Sequence, residues 1–183
     1  MTIAEAQREV RTEFAGGFFG QAVSGVLWLT SAALATWSTP RSAIIALIAG
    51  GFFIFPATYV LLRATGRRPG LSRGNTLGQL GMQAAFVLPL SLPLVAAAAI
   101  HRIEWFYPAL MVALGAHYLP FVFLYGMRMF ALLGGILVGA GVFIGLHHRD
   151  SLALGGWFTA ALLLVFAFVG LTSVWREEQA AAS

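Results

Sequence analysis

Three polar side chains lie inside long apolar stretches of this sequence: Gln21, Gln83 and His117. A histidine can bind or transfer a proton, and an amide both donates and accepts hydrogen bonds, so these residue types could bind a proton, an ion or a small solute. Pro120 follows His117 by three residues and leaves the carbonyl oxygen of Ala116 without its helical N–H partner. The sequence therefore suggests a polar site within an otherwise apolar protein.

Enzymatic sites are poorly supported by the same sequence. No Asp or Glu lies well within an apolar stretch, so a carboxylate general acid or a carboxylate pair is not expected there. The chain has no cysteine, which excludes thiolate chemistry and cysteine metal ligands. His147 and His148 precede Asp150, but adjacent histidines in a short loop do not make a tetrahedral ligand set. We expect no enzymatic activity, no metal and no cofactor.

The composition shows which elements must position the polar residues. Hydrophobic residues make up 59% of the 183 residues and charged residues only 10%, which is typical of an integral membrane protein. Crossing the hydrocarbon of a bilayer takes about 20 apolar residues in a helix. We therefore expect an all-α fold, a polytopic bundle of six transmembrane helices that forms a single domain over 1–183 in the lipid bilayer. The predicted spans are 14–36, 41–62, 76–99, 105–125, 129–146 and 152–175.

Residues 1–13 precede the first span and are too polar to cross a membrane. Ile3, Ala6 and Val10 fall on one helical stripe with charges opposite, and Thr2 and Glu5 can form a capping box. This pattern predicts a short amphipathic helix on the membrane surface. A frayed polar tail remains the alternative, because an isolated helix of this length is marginally stable in water.

Arginine is the only basic residue besides histidine, and its distribution predicts the orientation. Six spans would place on one side Arg8, Arg11, Arg63, Arg67, Arg68, Arg73, Arg128 and Arg176, and on the other side Arg41, Arg102 and Arg149. The side with more arginine is expected to face the cytoplasm, including both termini and the arginine-rich loop 63–75. We expect a bacterial cytoplasmic membrane and attribute the net charge of +4 to this bias, not to a nucleic-acid partner.

Two pairs of segments resemble each other weakly. GQAVSGVLWL (20–29) resembles GMQAAFVLPL (81–90), and FPATYVLLR (55–63) resembles LPFVFLYGMR (119–128). Both units would cross the membrane in the same direction, as a parallel helical-hairpin repeat. Chance similarity between apolar hairpins is the alternative.

Small residues recur at helical spacing in the first, fifth and sixth spans. They are Gly16, Gly20, Ser24, Gly135, Gly139, Gly141, Gly145, Gly155 and Gly156. Such residues let helix backbones approach closely in a membrane. They indicate packing within one chain more strongly than a dimer interface, although six short spans are compatible with a homodimer.

Longer motifs resemble a known family over most of the chain. They are AQREVR, SGVLW, GGFFIFP, GNTLG, RIEWFYPALM and HYLPFVFLYGMR. Together they resemble a family of bacterial multi-span membrane proteins known only as a domain of unknown function, of the 7010 type. The resemblance implies a multi-span membrane protein with no assigned reaction. In that family the positions of Gln83 and His117 more often hold an acidic and a basic residue, which argues against a strictly charge-dependent role here.

Sequence position converts to depth along the predicted spans. His117 lies eight residues, or about 12 Å, before the inner end of the fourth span, and Gln83 and Gln21 lie at similar depths. We expect these three to converge, with Tyr59 and Tyr125 lining the path inward and Gln83 or Tyr125 bonding His117. Arg128 would attract an anion to the inner mouth.

Two functions fit this predicted site. The first is a small transporter, channel or permeability factor that uses the polar layer to bind a small solute or ion. The alternative is a non-transport membrane module that binds a partner protein or lipid through its arginine-rich loop and glycine faces.

Overall fold

The computed structural model describes residues 1–67, 69–148 and 151–182, and within them the secondary structure is helical, without strands. The helices are α1 Ile3–Glu13, α2 Phe18–Trp37, α3 Pro40–Gly51, α4 Ile54–Ala64, α5 Leu77–His101, α6 Phe106–Tyr125, α7 Met129–His147 and α8 Leu152–Ala182. Short 3-10 turns, Ala15–Gly17 and Ile103–Trp105, precede α2 and α6. Arg68, Arg149, Asp150 and Ser183, which the sequence interpretation includes, lie outside the described residues.

Five helices are long and apolar enough to cross a membrane: α2, α5, α6, α7 and α8. The shorter α3 and α4 follow one another and together make a sixth candidate span. The predicted all-α, multi-span bundle is confirmed, and most of the predicted ranges agree with the helices to within a few residues.

The predicted span 41–62 consists of two helices, because α3 and α4 meet at a bend of 54°. Gly50 and Gly51 end α3, and Phe52 and Phe53 form the break. Pro56 then falls in the first turn of α4, where its missing N–H would have no helical acceptor in any case. The proline therefore begins a new helix here, whereas Pro120 lies inside the continuous α6.

Close helix packing depends on the small residues that the sequence singled out. The most extensive interfaces join α2 with α8 and α6 with α7. A methyl group added to Gly16 would lie 2.8 Å from the carbonyl oxygen of Gly170, so these backbones touch. By contrast, a methyl group on Gly135 or Gly139 would have no atom within 4 Å. The exposed faces of those two glycines on α7 do not pack within the chain.

Ion pairs place both ends of the described chain on one side of the bundle, called here the α1 side. Arg11 pairs with Glu177 at 2.9 Å, and Arg67 pairs with Glu178 at 3.0 Å. Arg67 also donates to the carbonyl oxygen of Thr12. These contacts join α1, the loop after α4 and the extended C-terminal part of α8.

Helix α1 is folded onto the bundle, so the alternative of a frayed tail is wrong. The capping box between Thr2 and Glu5 is present. Val10 is only 1% exposed and Ala6 is also buried, so these two residues of the apolar stripe are covered by the bundle, whereas Ile3 is exposed. Gln7 donates to the carbonyl oxygen of Phe123 near the end of α6. Tertiary contacts thus stabilise a helix that would be marginal alone.

The loop between α4 and α5 is held by α1. Glu9 accepts hydrogen bonds from the backbone N–H and the hydroxyl of Ser72, at 2.6 and 3.0 Å, and from the amide of Asn75 at 2.8 Å. Asn75 also accepts from the backbone N–H of Leu77, the first residue of α5, and so satisfies one of the free N–H groups at the start of that helix. The loop therefore rests on α1 instead of extending from the bundle.

Candidate functional site

Gln21 is the most deeply buried of the predicted polar residues. It lies on α2 and is 3% exposed, and neither its amide nitrogen nor its amide oxygen has a hydrogen-bond partner among the described residues. A buried amide without partners is costly, and native proteins rarely leave one unless a water molecule or ligand completes it. The unpaired amide of Gln21 therefore defines the candidate site.

Gly17 brings α2 against an aromatic cluster on the α1 side of Gln21. Its φ of 84° is a left-handed conformation that favours glycine. A methyl group there would lie 3.4 Å from the ring of Phe130 and 3.7 Å from the hydroxyl oxygen of Tyr125. Gln21 follows four residues later in the first turns of α2, about 6 Å deeper into the bundle. Its backbone thus lies about one helical turn from the point where Gly17 meets the aromatic cluster.

The aromatic cluster is built by α6 and the start of α7. Tyr118 stacks on Phe130 with ring centroids 6.0 Å apart, and Tyr125 contacts Phe130 at 5.1 Å. Phe121 lies between them and also contacts His117 at 4.9 Å. Tyr118 was not predicted as a site residue. Its position seven residues before the predicted Tyr125 was the available signal, because that spacing returns to the same helix face.

His117 faces α5 at the edge of this cluster. Its Nδ1 lies 2.8 Å from the carbonyl oxygen of Ala84. A carbonyl oxygen can only accept, so Nδ1 carries the hydrogen and Nε2 keeps a free lone pair. The neighbouring carbonyl, that of Ala85, has no helical N–H partner because Pro89 lies four residues later. The predicted bond from His117 to Gln83 or Tyr125 is therefore wrong, and a backbone carbonyl of α5 takes that place.

Three of the predicted site residues lie outside the interior. Gln83 and Arg128 are exposed, and Tyr59 is also exposed, with its ring 5.9 Å from the guanidinium carbon of Arg63. The expected convergence of Gln83 with Gln21 and His117 is not seen, because Gln83 points away from the bundle while the next residue faces His117. Sequence depth alone could not distinguish these two faces of α5. Of the predicted set, Gln21, His117 and Tyr125 remain in or beside the interior.

Within the described residues, two further hydroxyl groups are buried without hydrogen-bond partners. Thr58 on α4 has this property, and a methyl group on Gly20 would lie 3.8 Å from its hydroxyl oxygen. Thr159 on α8 is the other. Ser31 differs, because its hydroxyl contacts that of Tyr107 at 2.6 Å and donates to a carbonyl of α3. The unpaired groups on α2, α4 and α8 indicate a loosely satisfied polar interior.

All buried polar residues in the described part of the chain are uncharged. They are Gln21, Ser24, Ser31, Asn75 and Thr159. In the same part of the chain, no group of three or more histidine or carboxylate side chains could hold a metal ion. The interior therefore offers neutral hydrogen-bonding groups to a ligand and no compensating charge.

Comparison with known proteins identifies one family. Residues 3–173 match the model of a family of unknown function, DUF7010. No curated protein and no solved structure matches the chain.

Proposed function

We propose that this chain, which belongs to the family of unknown function DUF7010, binds a small uncharged polar solute at Gln21 and lets it cross the membrane. The observation that carries the proposal is the buried amide of Gln21, with both its donor and its acceptor unpaired. A solute that itself donates and accepts hydrogen bonds would satisfy both groups. Water, urea and glycerol have this chemistry.

An uncharged solute fits the site better than an ion. Moving an ion out of water into an apolar interior is very costly unless opposite charges compensate it. The buried polar side chains in the described residues are neutral, so they offer hydrogen bonds without such compensation. Unpaired hydroxyl groups at Thr58 and Thr159 would extend hydrogen bonding to α4 and α8.

Helix α1 would control access from its side of the bundle. It lies across the ends of α5 and α6, and Arg11 and Gln7 bind backbone carbonyls at the end of α6. Gln21 is shielded from solvent in this conformation, so a solute must wait for a movement that uncovers it. Release of α1 would break surface hydrogen bonds, among them those that hold it to the end of α6, and would not require the membrane helices to separate.

The α1 side is assigned to the cytoplasm within this proposal. Arginine outside the candidate spans is concentrated on that side, in α1, in the loop after α4 and beside the α6–α7 connection. This bias is the usual signature of cytoplasmic loops. Solute held at Gln21 would then exchange with the cytoplasm through the opening beneath α1.

Flux through purified protein in proteoliposomes tests the function. Stopped-flow light scattering would follow vesicle volume after osmotic gradients of sucrose, urea and glycerol, which report water and solute permeation. We expect faster equilibration of at least one probe with the wild type than with empty vesicles, and loss of that increase in Gln21→Leu. Thr30→Val is the matched control, because Thr30 is an exposed residue of α2 that bonds only to its own helix. Equal rates in wild-type and empty vesicles for all three probes would reject the proposal.

A second candidate function, lipid binding, has its own observation on the opposite side of the bundle. A groove of about 250 Å³ lies between α5, α6 and α7 and is lined by apolar residues that include Trp105, Pro108 and Gly141. The indole N–H of Trp105 is buried without an acceptor. An acyl chain would fill the groove, and its ester carbonyl would accept from the indole, since tryptophan sits at membrane interfaces.

Retention of lipid through purification tests this second candidate. Native mass spectrometry should detect phospholipid bound to the wild type and less of it bound to Trp105→Phe. Trp37→Phe is the control, because Trp37 is exposed and lies against Trp157, away from the groove. Equal retention in all three proteins would reject a specific lipid site at Trp105.

A further inference from the structure

Helix α5 is the least covered of the five helices that are long enough to cross a membrane. Only 11% of its most apolar segment is buried within the chain, against 33–44% in α2, α6, α7 and α8. It packs mainly on α6, and its other side presents large apolar side chains, among them Met82, Phe86 and Leu90. In a bilayer, apolar side chains alone would be compatible with lipid on this face.

Gln83 makes this face different from a simple lipid-facing surface. It is exposed, and it has no hydrogen-bond partner among the described residues. The depth of Gln83 follows from its neighbour Ala84, whose carbonyl oxygen is hydrogen-bonded to His117. His117 lies eight residues, or about 12 Å, before the end of α6. The amide therefore lies well inside the hydrocarbon, where lipid offers no hydrogen-bonding group and an unpaired amide is costly.

The spacing of residues around Gln83 extends the surface along the helix. Gln79, Gln83, Phe86 and Leu90 are all exposed and recur at intervals of four, three and four residues. This alternation produces a straight seam along one side of a helix, which is the pattern used where two helices pack lengthwise. The amide therefore lies on a continuous strip that a neighbouring helix could cover.

We propose that the Gln79–Leu90 strip of α5 packs against the same strip of a second copy of this chain, with Gln83 pairing with Gln83 of that copy. Two copies inserted in the same orientation are related by a two-fold axis along the membrane normal, so equivalent residues meet at equal depth. An amide is both donor and acceptor, so two glutamines can satisfy each other across that axis. Interhelical bonds of this type favour helix association in membranes. The proposal uses none of the residues assigned to solute binding.

Disulfide cross-linking provides a direct test, because the chain has no native cysteine. Gln83→Cys in native membranes should form a reducible dimer when mild oxidant is added. Gly135→Cys is the matched control, because Gly135 is exposed on α7 and no atom lies within 4 Å of its Cβ position. Gln83 and Gly135 each lie six positions after the first residue of their helix, so their depths in the membrane are similar. A dimer from Gly135→Cys without one from Gln83→Cys would move the interface to α7 and overturn the proposal.

A second measurement tests whether the amide of Gln83 strengthens association of the two copies, which cross-linking alone does not show. Single-molecule photobleaching of labelled protein in bilayers gives the dimer fraction as the protein is diluted into lipid. Gln83→Leu should associate about tenfold more weakly, the effect of losing one interhelical hydrogen-bonded pair, and should fold normally because the residue is exposed. Wild-type protein that stays monomeric at every dilution, with lipid alone on this face, would reject the proposal, as would unchanged association of Gln83→Leu.

Discussion

Arg11 donates a hydrogen bond from Nη1 to the carbonyl oxygen of Tyr125 at 2.7 Å, and its Nε pairs with Glu177 at 2.9 Å. One side chain of α1 thus joins the end of α6 to the C-terminal part of α8. The carbonyl that it binds belongs to the last turn of α6, where no helical N–H remains to satisfy it. Tyr125 also contributes its ring to the cluster beside Gln21, so α1 and the candidate site share a residue.

Replacing Arg11 should release α1. In Arg11→Gln we expect faster amide hydrogen exchange across Ile3–Glu13 and faster solute flux in proteoliposomes, because the contacts to α6 and α8 are lost. Arg8→Gln is the control, since Arg8 is exposed on the same helix and makes no hydrogen bond or ion pair within the described residues. Faster exchange without faster flux would show that α1 does not control access.

Removing the unpaired amide should stabilise the protein while it abolishes function. An unsatisfied buried polar group costs about 1–3 kcal/mol, so Gln21→Leu should unfold in detergent at a temperature higher by about 2–4 °C for each kcal/mol gained. The measurement is thermal unfolding without added solute, compared with Thr30→Val. A large decrease in the unfolding temperature would mean that the amide has partners and is structural.

Adjacent glycines on α7 should respond in opposite directions to the same substitution. A methyl group on Gly134 would lie 2.7 Å from the carbonyl oxygen of Gly115, so Gly134→Ala forces α6 and α7 apart and should cost about 1–3 kcal/mol. Gly135 has open space, so Gly135→Ala should be neutral or stabilising by up to about 1 kcal/mol through helix propensity. Unfolding in a denaturing detergent mixture compares the two variants. Equal effects would contradict the observed α6–α7 contact.

Acid should loosen the loop between α4 and α5. Hydrogen bonds to the Glu9 carboxylate hold its pKa below the usual value of about 4.3. The backbone N–H of Ser72 has the largest effect, and the side-chain amide of Asn75 follows. Because its pKa is lower in the folded state than in the unfolded state, Glu9 stabilises the fold fully at pH values above the unfolded-state pKa. This contribution is lost as the pH falls through the folded-state pKa.

Hydrogen exchange of residues 69–77 measures this effect. Corrected for intrinsic rates, protection should fall when the pH decreases from about 5 toward 3. Glu9→Gln should show low protection throughout that range and little further pH dependence. The idea fails if wild-type protection is the same at both ends of the range.

Labelling of introduced cysteines tests the assignment of the α1 side to the cytoplasm. A membrane-impermeant maleimide added to intact cells should not label Gly70→Cys in the loop after α4, and it should label Ser38→Cys at the end of α2. Both positions are exposed, so accessibility within the protein does not limit either reaction. The reverse pattern would invert the orientation and place the arginine-rich loop outside.

The sequence was sufficient for the number of spans and for local helix signals, because these depend on nearby residues. Apolar length identified the membrane helices, and Thr2 and Glu5 form the capping box of α1 that these residue types indicate. The sequence did not show that the span 41–62 divides into two helices, because a proline such as Pro56 fits both inside a distorted helix and in a first turn. Only packing against neighbouring helices decides between those two outcomes.

The candidate site was predicted less completely because it depends on helix rotation. Depth along a span predicts similar levels for Gln21, Gln83 and His117, but it could not show that Gln83 faces outward. In an almost uniformly apolar helix such as α5, no contrast between polar and apolar faces fixes the rotation. Tyr118 was missed for the same reason, because its burial depends on contacts with Phe130 of another helix.

The extensive contact between α2 and α8 also has a consequence for how this protein is made. Among the candidate spans of the described residues α2 comes first and α8 last, and Gly25 and Ala32 of α2 are covered by Ala160, Leu164 and Gly156 of α8. During synthesis, α2 enters the bilayer before α8 and therefore lacks its principal neighbour until α8 has been inserted. An incomplete chain therefore exposes the Gln21-bearing helix to lipid and to membrane quality control, and the bundle closes only when the ribosome has delivered α8.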